Sequence, residues 1–246
     1  MNQSLSSTGA RSEGRQLLLI SGIAAACIYV FTDIAASAAY PGFSYTDQTV
    51  SELFAIGAPT SYFVVALFSI SSVLLFLFAL GIAASSQGSR ALQLLASIFA
   101  GSAVTALVLW NFFPIHMRGA TQTFTDTMHL ILATNPFVLA TLAISVVTFQ
   151  HRFRWISLAT LAAILLLSLT GFGYALAVDF GQATPGLGLV ERLAQYIYQA
   201  CLCLSWRELT PGRSVRSRSR PRAGEPRRQP WCGLETAARI ARRRWR

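Results

Sequence analysis

The chain contains no lysine, only ten acidic residues and only four cysteines. All 20 of its basic residues are arginine, a bias that reads as GC-rich coding rather than as a mechanism. Charged residues make up 12% of the sequence, against roughly 25% in a soluble domain. That shortfall, with 53% hydrophobic residues and a mean hydropathy of +0.49, excludes an ordinary soluble fold. The cysteines exclude a disulfide framework and a zinc site. Cys27 lies in an apolar run, Cys201 and Cys203 are two apart near the end of another, and Cys232 stands alone in the tail. There is no internal repeat.

What is present is a series of apolar runs of about 20 residues, each long enough at 1.5 Å per residue to cross a hydrocarbon core of about 30 Å. They fall at 17–39, 61–83, 91–113, 129–149, 155–177 and 185–206. The expected fold is therefore all-α, a polytopic membrane protein with a six-transmembrane-helix bundle. Residues 1–16 are expected as a disordered approach, 17–206 as one membrane domain and 207–246 as a disordered tail. Ala36-Ser37-Ala38 mimics a signal-peptide cleavage site, but the run before it is too long and carries Asp33. Asn135-Pro136 inside the fourth run predicts a kink. Thr184-Pro185 predicts an N-cap with proline at the first position of the sixth helix.

Orientation follows from the arginines. Arg11, Arg15, Arg90, Arg152, Arg154 and the 13 arginines of the tail all fall on one side of six spans, and Arg118 alone stands in a loop of the other. Both termini are expected in the cytoplasm of a cell membrane. Tyr40, Tyr62, Trp110, Trp155, Tyr174 and Trp206 near the run ends fit an interfacial aromatic belt.

Residues 40–60, the first loop, are the most punctuated stretch of the membrane domain. Pro41-Gly42 breaks the first run, and Thr49-Val50-Ser51-Glu52 has capping-box spacing. A short helix through Leu53, Phe54 and Ile56 is predicted, lying at the surface and ended by Gly57 and Pro59. The outward layer gathers Asp33, Asp47, Glu52, Asp126, Asp179 and Glu191 against Arg118 and Arg192, with His116 and His129 on the same side. Such a layer suits concentrating cations or receiving a basic group. Acids left outside by default once arginines stay inside would look the same. Asp33 and Arg192 each lie seven residues into their run, about 10 Å deep, where a lone charge costs about 2–3 kcal/mol and an ion pair is the usual remedy.

The tail carries the whole net charge of +10, with 13 arginines against Glu208, Glu225 and Glu235. Residues 214–230 are so rich in arginine, serine and proline that they cannot bury a core. Three readings stay open: a polybasic segment on anionic lipid, a nucleic-acid binder without a folded motif or aromatic platform, or coding sequence read out of frame. Nucleic acid is the least supported.

With these residues placed, the chain resembles a family of multispan membrane proteins catalogued only as a domain of unknown function, DUF998. The resemblance rests on Tyr40-Pro41-Gly42-Phe43-Ser44 followed by Val50-Ser51-Glu52-Leu53, on Phe113-Pro114, on His129, and on Gly188-Leu189-Val190-Glu191-Arg192. It covers about residues 17–206 and implies a fold without an activity. A more distant likeness to the CREST superfamily of membrane hydrolases rests on one Ser, one Asp and a few His. Those enzymes typically have seven spans and a His-x-x-x-His pair, and this chain has neither.

Two functions follow. The first is a non-enzymatic protein binding a lipid, a cation or a partner at its outer face, where Ser51, Glu52, His116, Asp126 and His129 are expected to converge. The second is a membrane-embedded hydrolase using a divalent metal. Asp126 and His129 share a helix face three residues apart, with His116 or Glu52 completing the ligands and Ser51 near the substrate. Each residue also has a plain structural role. Thr125 or Asp126 suits an N-cap, Glu52 belongs to the capping box, and an interfacial histidine is often only hydrogen-bonded. Transport has thinner support, resting on Asn135-Pro136 alone.

Overall fold

The computed structural model describes residues 3–133, 141, 143, 145, 146, 152–179 and 184–209. Its regular structure there is helical, apart from one isolated bridge between Ile56 and His116. In chain order the helices are α1 (Gln3–Ala39), α2 (Ser61–Ser85), α3 (Arg90–Phe112), α4 (Phe124–Ala133), α5 (Arg152–Asp179) and α6 (Leu187–Leu209). Among the described residues, three helices are long and apolar enough to cross a membrane: Glu13–Ala39, Ser61–Ser85 and Arg90–Phe112. A shorter apolar helix is Arg154–Leu167.

Several bounds differ from those expected. Residues 3–16 are helical rather than frayed, because once a long apolar helix is nucleated each added residue costs little. The short helix of loop one is a single 3-10 turn, Ser51–Phe54, since Ala55 turns extended straight after it. α4 starts at Phe124, five residues earlier than its apolar run, because Thr123 and Asp126 form the N-terminus together. α6 starts at Leu187, not Pro185. Thr184 does not cap it with its hydroxyl, which accepts a hydrogen bond from Arg118 instead. Asn135-Pro136 and the tail from residue 210 lie outside the described residues.

α1 and α2 pack through small residues that let backbones approach. Ser21 donates to the Leu74 carbonyl at 2.9 Å and Ser71 to that of Ala25 at 2.9 Å. A Cβ added at Gly81 would sit 3.0 Å from the Leu18 backbone. Two buried apolar clusters divide the bundle. One gathers Leu19, Phe78, Ile82, Leu95, Phe99 and Leu202. The other, beneath loop one, gathers Ala36, Val50, Leu53, Phe54 and Val64.

α3 is interrupted by a π segment, Thr105–Leu109, in which the Trp110 N–H reaches the Thr105 carbonyl. The wider turn leaves the Leu107 carbonyl to the Asn111 amide, which donates to it at 2.6 Å. An inserted residue of this kind rotates every later side chain around the helix axis, and π turns occur often at functional sites. Here it turns Trp110 against Phe54 and His129.

Candidate functional site

Loop one is held over the end of the bundle by three polar nodes. In the first, Arg192 and Asp33 are both almost fully buried, at 1% and 0% exposure. The Arg192 Nε donates to both Asp33 oxygens at 3.1 and 3.0 Å, and a second nitrogen lies 3.0 Å from Oδ1. The rest of the guanidinium donates to the carbonyls of Tyr45 (2.8 Å), Gln48 (2.7 Å) and Gly188 (3.2 Å) and to the Ser37 hydroxyl (3.3 Å). It also stacks 4.0 Å from the Tyr45 ring centroid. The Tyr196 hydroxyl donates to Asp33, and Tyr45 and Tyr196 share a hydrogen bond at 2.8 Å.

This contact forces glycine at position 188. A Cβ there would stand 2.2 Å from the Gln48 carbonyl oxygen. The close approach lets loop one cap α6: Gly186 N–H donates to Asp47 Oδ1 at 2.8 Å and Leu189 N–H to the Thr46 carbonyl at 2.9 Å. The first N–H groups of a helix have no partner within it, and these are satisfied across the fold. Glu191 returns the contact by accepting from the Val50 N–H at 2.9 Å.

The second node is Glu52 with Arg118, which joins loop one to the segment after α3. Arg118 donates to Glu52 at 2.8 and 3.3 Å, to the Thr184 hydroxyl at 2.9 Å and to the Asp47 carbonyl at 3.2 Å. Glu52 also accepts from Gln48 at 2.9 Å and from the Thr49 backbone N–H at 3.0 Å, the second half of a capping box. Burial opposes its charge, but the hydrogen bonds from Arg118, Gln48 and Thr49 outweigh it and hold the carboxyl below its ordinary value. Beside it, Ile56 N–H donates to the Ile115 carbonyl at 2.8 Å.

The third node contains two separate pairs. Asp126 accepts from the His116 backbone N–H at 2.6 Å, from the His116 ring at 3.0 Å, and from the Thr123 N–H and hydroxyl at 2.8 and 2.7 Å. Burial raises its carboxyl, yet these donors together bring it down to about 2. It is thus the third residue of α4, closing a cap whose first residue is Thr123; neither Thr125 nor Asp126 is the N-cap. His129 is 1% exposed and holds two other partners: the Phe113 carbonyl at 2.8 Å through Nδ1 and the Ser51 hydroxyl at 3.1 Å through Nε2. Since the carbonyl can only accept, Nδ1 carries the proton, and Nε2 accepts from Ser51.

Ser51, Glu52, His116, Asp126 and His129 therefore lie in one layer but face different partners. The metal-dependent reading would have Asp126 and His129 reach one ion; they turn to different partners, His129 to the loop-one Ser51. Among the described residues, no three His, Cys, Asp or Glu side chains gather as metal ligands would. Sequence reasoning did not assign the roles of Arg118, Tyr45 and Tyr196. Tyr196 left a trace, standing four residues after Arg192 on the same helical face.

Apolar helices of membrane-spanning length, helical packing and the buried Asp33–Arg192 pair define the class: a helical integral membrane protein. More particularly, the chain belongs to the family described as "Protein of unknown function (DUF998)", which matches residues 23–206. Neither a curated protein nor a solved structure matches it.

Proposed function

We propose that this is a six-span protein of the cell membrane with both termini cytoplasmic, and that its extracytoplasmic loop layer binds a membrane phospholipid rather than a free cation. The pairing of the layer's acids supports this reading. Asp33, Glu52 and Asp126 already face Arg192, Arg118 and His116, and Asp47 and Glu191 accept backbone N–H groups, so each of these five carboxylates is already engaged within the protein. What remains at the rim is amphipathic. Tyr62, Phe112 and Phe124 are exposed at 93%, 70% and 71%, and His116 and Arg118 are partly exposed. Aromatic side chains suit the headgroup boundary, and His116, which faces Asp126 through Nδ1, keeps its Nε2 for a phosphate oxygen.

Phosphorus analysis of the protein purified in mild detergent tests the reading. It expects at least one phospholipid retained per chain, and about a tenfold weaker retention in His116→Ala. Retention unaffected by that change would remove the reading.

One observation favours a second function. Ser51, His129 and the Phe113 carbonyl have the order of a nucleophile, a base and an orienting acceptor. A hydrolase built on them would need no metal for its nucleophile, unlike the metal-dependent enzyme considered from sequence. Covalent labelling of Ser51 by a fluorophosphonate, abolished in His129→Gln, would establish it; no labelling would leave the pair as a fastening of loop one to α4.

A further inference from the structure

Beneath the loop layer lies a partly open cavity of about 90 Å³, lined by α1, α2, α3, α4 and α6. It sits at mid-height of the three long apolar helices, beside Ala25 and Tyr29 of Glu13–Ala39, Ser71 of Ser61–Ser85, and Ser102 and Thr105 of Arg90–Phe112. That volume has room for several water-sized groups. None of its lining residues is ionisable at neutral pH, yet the lining is rich in hydrogen-bonding groups.

Two of those groups are buried and have no hydrogen-bond partner among the described residues: the Trp110 Nε1–H and the Tyr198 hydroxyl. Tyr198 is 5% exposed. Its hydroxyl stands near that of Thr141 without reaching hydrogen-bond geometry. The side chains of Gln195 and Gln199, one turn apart on α6, face the same space. The indole N–H can only donate. In a hydrocarbon surrounding each unmade hydrogen bond is costly, and native spans rarely leave one open. The π segment brings two of these residues to the cavity, because Thr105 opens it and Trp110 follows it directly.

We infer that this cavity is a binding site within the membrane for an uncharged, oxygen-bearing group, an ester carbonyl or hydroxyl carried on an amphiphile such as a monoacylglycerol. The glutamine amides would meet one polar atom, and the Trp110 and Tyr198 donors, sealed in the cavity wall, would reach the oxygen by turning toward it. A phosphate is disfavoured because no cationic side chain lines the space. The inference is independent of phospholipid binding at the loop layer.

The test uses the full-length protein in mild detergent with 1-oleoylglycerol as probe and phosphatidylglycerol as the charged control. 1-Oleoylglycerol is expected to raise the melting temperature saturably, and a diazirine-bearing analogue to crosslink to residues 102–110 and 195–199. Tyr198→Phe and Trp110→Phe each remove one unpartnered donor. Tyr198→Phe should leave the melting temperature without probe near that of the parent, Trp110→Phe should lower it by the packing lost against Phe54 and His129, and each should weaken the probe's effect about five- to tenfold, the value of one hydrogen bond. Three results would each overturn the proposal. One is no saturable shift, meaning that the cavity holds water alone. Another is an equal shift from phosphatidylglycerol, and the third is crosslinking confined to lipid-facing positions such as Leu165 and Leu169. Loss of phospholipid retention in His116→Ala would bear only on the loop layer and leave this result unchanged.

Discussion

Neutralising Asp33, Arg192 or both offers the sharpest test of the packing. Asp33→Asn leaves a buried guanidinium without its counter-charge, although the carbonyls of Tyr45 and Gln48 and the Tyr45 ring still hold it. Its cost belongs at the lower end for a broken buried pair, about 3 kcal/mol. Arg192→Gln strands a carboxylate that is 0% exposed and also removes the donors to those two carbonyls, so its cost belongs near the upper end, about 5 kcal/mol. The double variant buries no charge. It loses mainly the carbonyl and hydroxyl hydrogen bonds, at about 1 kcal/mol each, for about 4 kcal/mol in all. The singles then sum to about 8 kcal/mol and the double falls short by about 4, within the roughly 1.5–7 kcal/mol of close charge pairs. Reversible SDS unfolding of the four proteins in mixed micelles, followed by circular dichroism, measures it. A double variant costing the sum of the singles within about 1 kcal/mol, as independent sites do, would refute the reasoning.

Acid should weaken the protein through Asp126. Its folded value of about 2 lies below an unfolded value of about 3.9, so its contribution is complete above about pH 5 and is lost as pH falls toward 2. Asp126→Asn should lower stability at neutral pH and flatten that part of the pH profile, with Glu52 supplying the remaining slope; an unchanged profile would contradict the assignment. Ser51→Ala should cost about 1–2 kcal/mol by leaving the buried His129 Nε2 without a donor, read as a shift in the same unfolding curve. Gly188→Ala should cost about 3 kcal/mol or more, because its Cβ meets a backbone oxygen that cannot step aside; a variant as stable as the parent would contradict the close approach. In a cysteine-free background, Pro41→Cys should react with an impermeant maleimide in intact cells and Gln87→Cys should not; labelling at position 87 would reverse the proposed topology.

Much of the helical plan is legible because length and hydropathy are local properties. The long helices of residues 13–39, 61–85 and 90–112 overlap the first three apolar runs within a few residues. Glu52 folding back onto the Thr49 N–H is legible for the same reason, since both ends of the contact lie within four residues. Asp33 and Arg192 stand out because a charge in an apolar run demands a partner, and their matching depth points each to the other, the rival Glu191 standing about 100° from Arg192 around its helix. The rest depends on distant segments meeting. Asp126 turns to His116 rather than toward His129 because the chain after Pro114 folds back beside α4. Arg118 looks like a lone base in sequence, and only the fold brings Glu52, Thr184 and the Asp47 carbonyl around it. The π segment has no sequence mark at all. Nothing in Thr105-Ala106-Leu107-Val108-Leu109 distinguishes it from an ordinary apolar turn.

The clasp of loop one by α6 has a consequence for the order in which the protein is made. Asp33 leaves the ribosome 159 residues ahead of Arg192. At about 5–20 residues per second, the carboxylate waits roughly 8–30 s before its counter-charge exists. The Tyr45 and Gln48 carbonyls wait almost as long, and Val50 for its acceptor on Glu191. Until α6 packs against loop one, the first span is therefore a poorly satisfied guest of the membrane, and α6 acts as the latch that ends its dependence on the insertion machinery. A ribosome stalled before residue 192 should hold an α1 that is still extractable, and one stalled well after α6 has emerged should not.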